Sequence, residues 1–469
     1  MHDAAVRSRR QLNDLPGPPA WPLVGNLPQL RPVRIHLDIE RWSRQYGTLY
    51  RVRMPRSTFL VVADHRLVGQ ILRERPGLFR RPSIAAEVAA EMGGIPGVFE
   101  AEGAAWRNQR RMVMQAFAPQ AVKSYFPSLV TVAQRLRQRW EDAADSGRAI
   151  DLNADLRLYT IDIVAGLAFG SDVNTIETGD HAIQRDLDVI LPAVARRSLA
   201  PFPYWRYLPL PADRQLARSV AAVKLAVDDL VGQAKARMLA DPARALAPPN
   251  MLESMLAAAA QPGSEVSERD VAGNVLTMLL AGEDTTSNSL AWLIYLLRQH
   301  PEALRRAREE VLRVVPDSAL LTVGQADQLD YLEACAHEAM RLKPPVPYMP
   351  LEALEDTVVG DVDVPKGTVL TCVLRHDSVD EAYFRDAASF RPERWLEAQV
   401  ERKVAMPFGA GPRTCPGRYL ALLEIKVAMC MLLAHFDIVS VSSPDGGEPR
   451  ERMGFVMAPS MLELRLARR

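Results

Sequence analysis

The chain has 469 residues, with 57 Lys+Arg balanced by 57 Asp+Glu, which argues against a global nucleic-acid binder or an acidic tail. Its 48% hydrophobic and 24% charged content is ordinary for a globular protein, and a chain of this length buries a core without disulfides. The four cysteines, Cys335, Cys372, Cys415 and Cys430, form no C-x-x-C and the histidines no H-E-x-x-H, so zinc ribbons, thioredoxin-like motifs and zincin sites are excluded.

Residues 1–14 are polar and charged with no apolar h-region, which predicts a flexible tail and no signal peptide. No run of about 18 apolar residues occurs, so no transmembrane anchor is expected, and the free cysteines fit a reducing cytoplasm. Leu15 to Leu30 is a proline-rich, extended strap. A helix is predicted over 36–46, ended by Gly47, then two strands at 48–54 and 58–63 about the turn Pro55-Arg56-Ser57. Residues 82–103 hold Gly93, Gly94, Pro96 and Gly97 and read as a long loop. Helical periodicity follows at 104–115, 119–145, 153–169, 183–198, 212–239, 250–260, 267–299, 301–314 and 418–435. The aromatic and proline cluster Ala200 to Pro211 reads as an ordered lid between two of these helices. Short strands are expected near 48–63, 357–374 and 436–467.

The 267–299 helix is roughly 50 Å long at 1.5 Å per residue, enough to cross the molecule. Ser267 and Asp270 form a capping-box start and Pro301 marks the end. Inside its apolar run lies the polar block Ala281 to Ser289, AGEDTTSNS, which costs stability unless paired or used.

The strongest motif is FGAGPRTCPG, Phe408 to Gly417. Gly409 and Gly411 permit a tight turn and the approach of a flat ligand. Cys415 precedes a helix, whose N-terminal N–H groups favour a thiolate, a soft ligand suited to haem iron. Arg413 can pair with a carboxylate such as a propionate. In EAMR, Glu338 and Arg341 share a helix face. FRPERW supplies Arg394, and WRNQRR places Trp106 and Arg110 four residues apart on one helix face.

These strings together resemble the cytochrome P-450 superfamily from about Leu15 to the C-terminus. The strap is similar to that of its microsomal-type branch, and the chain reads as a soluble bacterial member. The resemblance implies a mainly α fold: a helical bundle around a central long helix, with small β-sheets. It implies a single domain, 15–469, with haem b between the long helix and the Cys-loop helix. Cys415 is then the axial metal ligand, and Phe408, Gly409, Arg413 and Gly417 belong to its loop. Trp106 and Arg110 become propionate donors. Ala281 and Gly282 border the haem, and Asp284 and Thr285 become the acid and alcohol that deliver protons. Glu338, Arg341 and Arg394 become a structural network. One departure stands out: the family often carries a propionate arginine near Leu351, and here no arginine occurs between Arg341 and Arg375. His376 or Arg375 are the replacements considered.

The implied function is a haem-thiolate monooxygenase using O2 and electrons from a ferredoxin or flavodoxin-type partner with its reductase. The donor would dock near Arg107, Arg111, Lys403 and Arg418, and no nucleic acid is expected. The alternatives are the same fold acting as a peroxygenase, isomerase or dehydratase, which often lack the acid–threonine pair, and a non-catalytic haem protein. Phe99, Phe202, Tyr348, Leu351, Phe455 and Met457 are the expected pocket walls, suited to a lipid, terpenoid or polyketide-like substrate. Glu87, Glu91, Arg196 and Arg197 lie near that pocket and could meet a polar substrate end.

Overall fold

Helices form where the 3.6-residue period is strongest, and the longest of them organises the molecule. The computed structural model describes residues 9–170, 172–179, 182–198, 200, 202–208, 210–397 and 401–469, the side chains of Ala182 and Ala195 excepted. The long helix runs Glu268–Gln299, 32 residues. Ser267 Oγ accepts the Asp270 N–H while Asp270 Oδ2 accepts the Ser267 N–H, which closes the predicted capping box. Beyond His300, Pro301 opens the helix Pro301–Val314. Helix Leu152–Phe169 packs along the long helix, and Pro119–Asp145 packs on Leu152–Phe169.

The second organising element is Arg418–His435, buried from Leu422 through Leu433. A helix apolar all round belongs in a core, and this one packs against Pro119–Asp145 and the long helix. Two charged side chains enter the core with it. Lys426 Nζ reaches Glu333 Oε2 at 2.6 Å. Glu424 has only the Thr286 hydroxyl to oppose its desolvation, and burial pushes its carboxyl from an ordinary 4.5 up to about 8. The folded state therefore keeps a proton that the unfolded chain releases above about pH 4.5. Stability contributed here falls as pH rises from about 4.5 to about 8, by up to about 1.4 kcal/mol per unit. Glu424→Gln removes that slope: denaturant unfolding should show the variant gaining on wild type between pH 5 and 8. Parallel stability curves would contradict it.

Four small sheets flank the bundle. The largest has the order Leu49–Arg53, Thr58–Val62, Val369–Val373, Tyr348–Ala353, Phe79–Arg80. Phe436–Ser442, Glu463–Arg468 and Ile150–Asp151 form a second, and Glu451–Met453 pairs with Met457–Pro459. The remaining sheet contains Arg10–Gln11, parallel to Val362–Val364, with Thr357–Val359 at its other side. The expected flexible tail is thus ordered from Arg9: Arg10 Nη2 holds Asp361 Oδ1 at 2.7 Å, and residues 1–8 lie outside the described residues.

Three further differences have local causes. The 82–103 segment contains the helix Ser83–Glu91, built from good helix formers (IAAEVAAE). It buries only Val88, so it carries no apolar stripe to read. Tyr348–Ala353 is a strand despite Pro350. In the lid, Tyr204–Arg206 forms a single 3-10 turn, while Pro201 and Pro209 lie outside the described residues.

Candidate haem-binding and proton-delivery site

The Phe408–Gly417 loop closes on itself. The Phe408 carbonyl accepts the Cys415 N–H at 3.0 Å, and Gly409 and Gly411 both take φ of +72°. At Gly411 a Cβ would stand 2.4 Å from the Leu72 carbonyl oxygen, so only glycine fits. Burial pushes the Cys415 thiol up, while the Gly417 N–H bonded to its sulfur and the Arg110 guanidinium pull it back toward the thiolate. Cys415 is nonetheless accessible, so it lines a cleft. Arg110 Nη2 donates to the Thr414 carbonyl at 2.6 Å, bracing the loop from helix Gly103–Ala116. From the same helix the buried Trp106 presents its ring 4.7 Å from the Arg413 guanidinium. Arg413 Nη2 donates to the Ala101 carbonyl at 2.6 Å and pairs with Glu102. Burial pulls Arg413 down to about 10 against the Glu102 charge, with Arg75 and Arg110 adding to the fall.

The long helix, which packs on helix Arg418–His435, carries the acid–alcohol pair. Ala281 is exposed halfway along a helix whose flanks are buried, so it too borders a cleft. At Gly282 a Cβ would stand 2.6 Å from Val164 Cγ2, so the glycine admits helix Leu152–Phe169. Thr285 Oγ1 donates to the Ala281 carbonyl at 2.8 Å, and Ser287 and Ser289 bond back to Glu283 and Thr285 at 2.8 Å each. Asp284 Oδ1 lies 3.5 Å from Arg157 Nε. Burial pushes its carboxyl up, Arg157 opposes and Asp188 adds to the rise. The neighbour Glu283, which the motif leaves unspecified, is buried. Its Oε1 accepts Arg157 Nε at 2.6 Å, and burial pushes its carboxyl up to about 8 despite that arginine.

The Glu338 network is complete and larger than the motif implies. Arg341 Nε and Nη2 donate to the two Glu338 oxygens at 2.8 Å each, and Arg394 Nε joins at 3.0 Å. Trp395 Nε1 adds a bond of 2.9 Å and the Arg391 N–H another of 2.9 Å. Arg341 Nη1 then reaches the Ser378 and Ala387 carbonyls at 2.6 and 2.7 Å, tying the following meander down. Trp395 was legible as part of FRPERW, but nothing in its spacing marks the indole as a donor.

The expected pocket residues divide. Phe99 and Phe455 face each other with ring centroids 5.9 Å apart, and the Arg81 guanidinium sits 3.4 Å from the Phe99 centroid. Loop residues 95–99 lie flush on the long helix: the Val98 N–H donates to Asn274 Oδ1 at 2.9 Å, and Asn274 Nδ2 to Gln109 Oε1 at 3.0 Å. Sequence reasoning missed Asn274 and Gln109, which lie in different motifs. The other four are placed differently. Leu351 is fully buried in the sheet core, because residues 349, 351 and 353 of its strand face inward. Tyr348, on the opposite face, packs with Trp42 and Tyr50. Met457 is fully buried in its hairpin, and Phe202 is 58% exposed on the lid. Two of the charges considered as polar anchors are consumed: Glu91 pairs with Arg206 and accepts Trp205 Nε1 at 3.1 Å, while Arg197 pairs with Asp213 at 2.7 Å.

Arg375 is also excluded as a propionate donor. Its guanidinium is bidentate to Glu40 at 2.8 Å and bound to both Glu451 oxygens at 2.9 Å, in a buried cluster with His36 and Lys343. The donors that remain suit a dianion. Arg75, Arg81, Arg110 and Arg413 gather beside only Glu100 and Glu102, and among the described residues Arg413 Nε and two Arg75 nitrogens are buried without partners.

The accessible Cys415 on its glycine loop thus lies beside Arg110, with Trp106 and Arg413 stacked nearby and the Asp284–Thr285 pair on the long helix. The family model Cytochrome P450 matches residues 15–466, and the chain belongs to the cytochrome P450 family. Its members are haem-thiolate proteins whose iron is ligated by cysteine, and the chain is accordingly an oxidoreductase of the monooxygenase class. It is 26% identical over 431 residues to the LUTEIN DEFICIENT 5 protein, chloroplastic, of Arabidopsis thaliana, covering 88% of this chain and 71% of the relative. It is 28% identical to the bifunctional cytochrome P450/NADPH–P450 reductase of Bacillus cereus, covering 92% of this chain and 40% of that protein. It is 27% identical to the mitochondrial 1,25-dihydroxyvitamin D(3) 24-hydroxylase of Rattus norvegicus, covering 96% and 88%. Among the described residues no helix is long and apolar enough to cross a membrane.

Proposed function

We propose that Cys415 is the axial thiolate and that the chain hydroxylates or epoxidises an apolar small molecule, with electrons from a ferredoxin or flavodoxin-type donor. The observation that carries this reading is the accessible, Arg110-flanked Cys415 together with an acid–alcohol pair on the long helix. A haem bound there would supply O2 activation, with one oxygen atom going to the substrate and the other leaving as water on two electrons from the donor and two protons. The protein's part is electrostatic and positional. Gly417 N–H and Arg110 favour the thiolate, and Trp106, Arg110 and Arg413 orient the propionates. Asp284, held near Arg157, takes protons from the Glu283–Arg157–Asp188 cluster and passes them on beside Thr285 Oγ1. Phe99 and Phe455 supply apolar contact. The retained acid–alcohol pair favours O2-dependent turnover over the isomerase and electron-carrier readings, and the rat relative is named a hydroxylase.

Arg107, Arg111, Lys403 and Arg418 are exposed and make no ion pair among the described residues, as a docking face for an acidic donor requires. Reversing two of these charges, Arg111→Glu with Arg418→Glu, should slow reduction by an acidic flavodoxin about tenfold at low salt and leave substrate-induced spectral shifts unchanged. An unchanged rate would remove this face from the account.

A further inference from the structure

A buried guanidinium is costly unless every nitrogen finds a partner. Arg75 is 3% exposed, yet its Nε and Nη2 have no hydrogen-bond partner among the described residues. Its one bond is Nη1 to the Met349 sulfur at 3.4 Å, a weak acceptor. The nearby Cys372 supplies no counter-charge, since burial pushes that thiol up to about 12 and leaves it neutral. Arg75 therefore has two donors that nothing among the described residues receives, and its charge is opposed only at a distance by Glu102.

Its neighbours define the missing partner. Burial, with the Arg75 charge adding, pulls Arg81 down to about 9, and Arg413 also feels Arg75. Both carboxylates within this group already face guanidiniums: Glu102 pairs with Arg413, and Glu100 faces Arg81. Four guanidiniums against two such carboxylates leave an excess of about two positive charges, the complement of two propionates. Met349, which Arg75 touches, lies two residues from Leu351 on the same face of its strand.

Resting on the haem cofactor that family membership establishes, we propose that Arg75 donates to a haem propionate. It takes the place that an arginine at the Leu351 position would otherwise fill. The donor comes from the segment following helix His65–Arg73 rather than from the strand. Arg75 is a binding residue for the cofactor and takes no part in proton delivery.

The test is the rate of haem transfer to excess apomyoglobin, followed in the Soret region, for wild type, Arg75→Met and Arg75→Lys. Each is loaded with haem or with haem dimethyl ester, which lacks the propionate charges. Arg75→Met should release haem at least tenfold faster than wild type, and Arg75→Lys should be intermediate. With the dimethyl ester all three should release at one rate. Equal rates with native haem would overturn the proposal. So would a difference that persists with the ester, since that marks a merely structural residue. If Arg75→Met cannot be loaded, Arg75→Lys against wild type with the two porphyrins decides by the same criteria. A carboxylate on a substrate is the other source of the same chemistry. If haem release is unchanged but a fatty-acid spectral titration weakens in the variants, the anion belongs to the substrate and the propionate assignment falls.

Discussion

Asp284→Asn should lower turnover by about a hundredfold or more, the loss expected when a positioned acid is removed from a proton-transfer step. The residue stands 3.5 Å from Arg157 Nε, and burial holds its carboxyl above the ordinary 3.8. That combination sets the carboxyl beside the Glu283 and Asp188 carboxylates that share Arg157, a route along which a proton can be passed. Asparagine preserves the volume and a donor but cannot cycle a proton. The substrate-induced spectral shift should therefore stay within twofold of wild type while product formation collapses. Product formation and oxygen consumption, measured in the same assay, check it. Turnover at the wild-type rate would show that protons arrive by another route.

Glu338→Ala should cost about 3–5 kcal/mol and sharply reduce the yield of haem-loaded protein. The carboxylate is fully buried, and its removal leaves Arg341 Nε, Arg394 Nε and the Trp395 indole without their acceptor and two buried guanidiniums without their counter-charge. Against a typical total stability of about 5–15 kcal/mol, that is a large fraction. Burial pushes the Glu338 carboxyl up, but the Arg341 bonds and charge, the Arg391 N–H and Arg394 together hold it below the ordinary 4.5. The network's contribution is thus full above about pH 4.5 and is lost as pH falls through the lower folded-state value. Thermal unfolding of Glu338→Ala beside wild type at neutral pH, and of wild type on acidification, measures both. A variant within about 1 kcal/mol of wild type would reduce the network to an ornament of the fold.

Helices with a buried stripe or strong caps were legible. Glu268–Gln299 announced itself through Ser267 and Asp270, and Arg418–His435 through its apolar length. Ser83–Glu91 was not, because a helix lying on another helix with one buried valine has no period to display. Motif strings located Cys415, Asp284, Thr285 and the Glu338 pair, since those contacts are local or fixed by spacing. Their partners came from elsewhere in the chain. Arg157 lies 127 positions before Asp284, and Arg75 meets Met349 across a sequence gap of 274. Strand parity was not legible in the pocket assignments: Tyr348 and Leu351 fall on opposite faces of one strand. Nor was the contact at Gly282, since Val164 is invisible from the helix that carries the glycine.

The central claim is that Cys415 binds the haem iron as a thiolate. The carbon monoxide difference spectrum of the dithionite-reduced, freshly purified protein tests it most directly. The account predicts a strongly red-shifted Soret band in wild type and its loss in Cys415→His. A wild-type band at the position of histidine- or thiol-ligated haem, in protein that is fresh and folded, would contradict it.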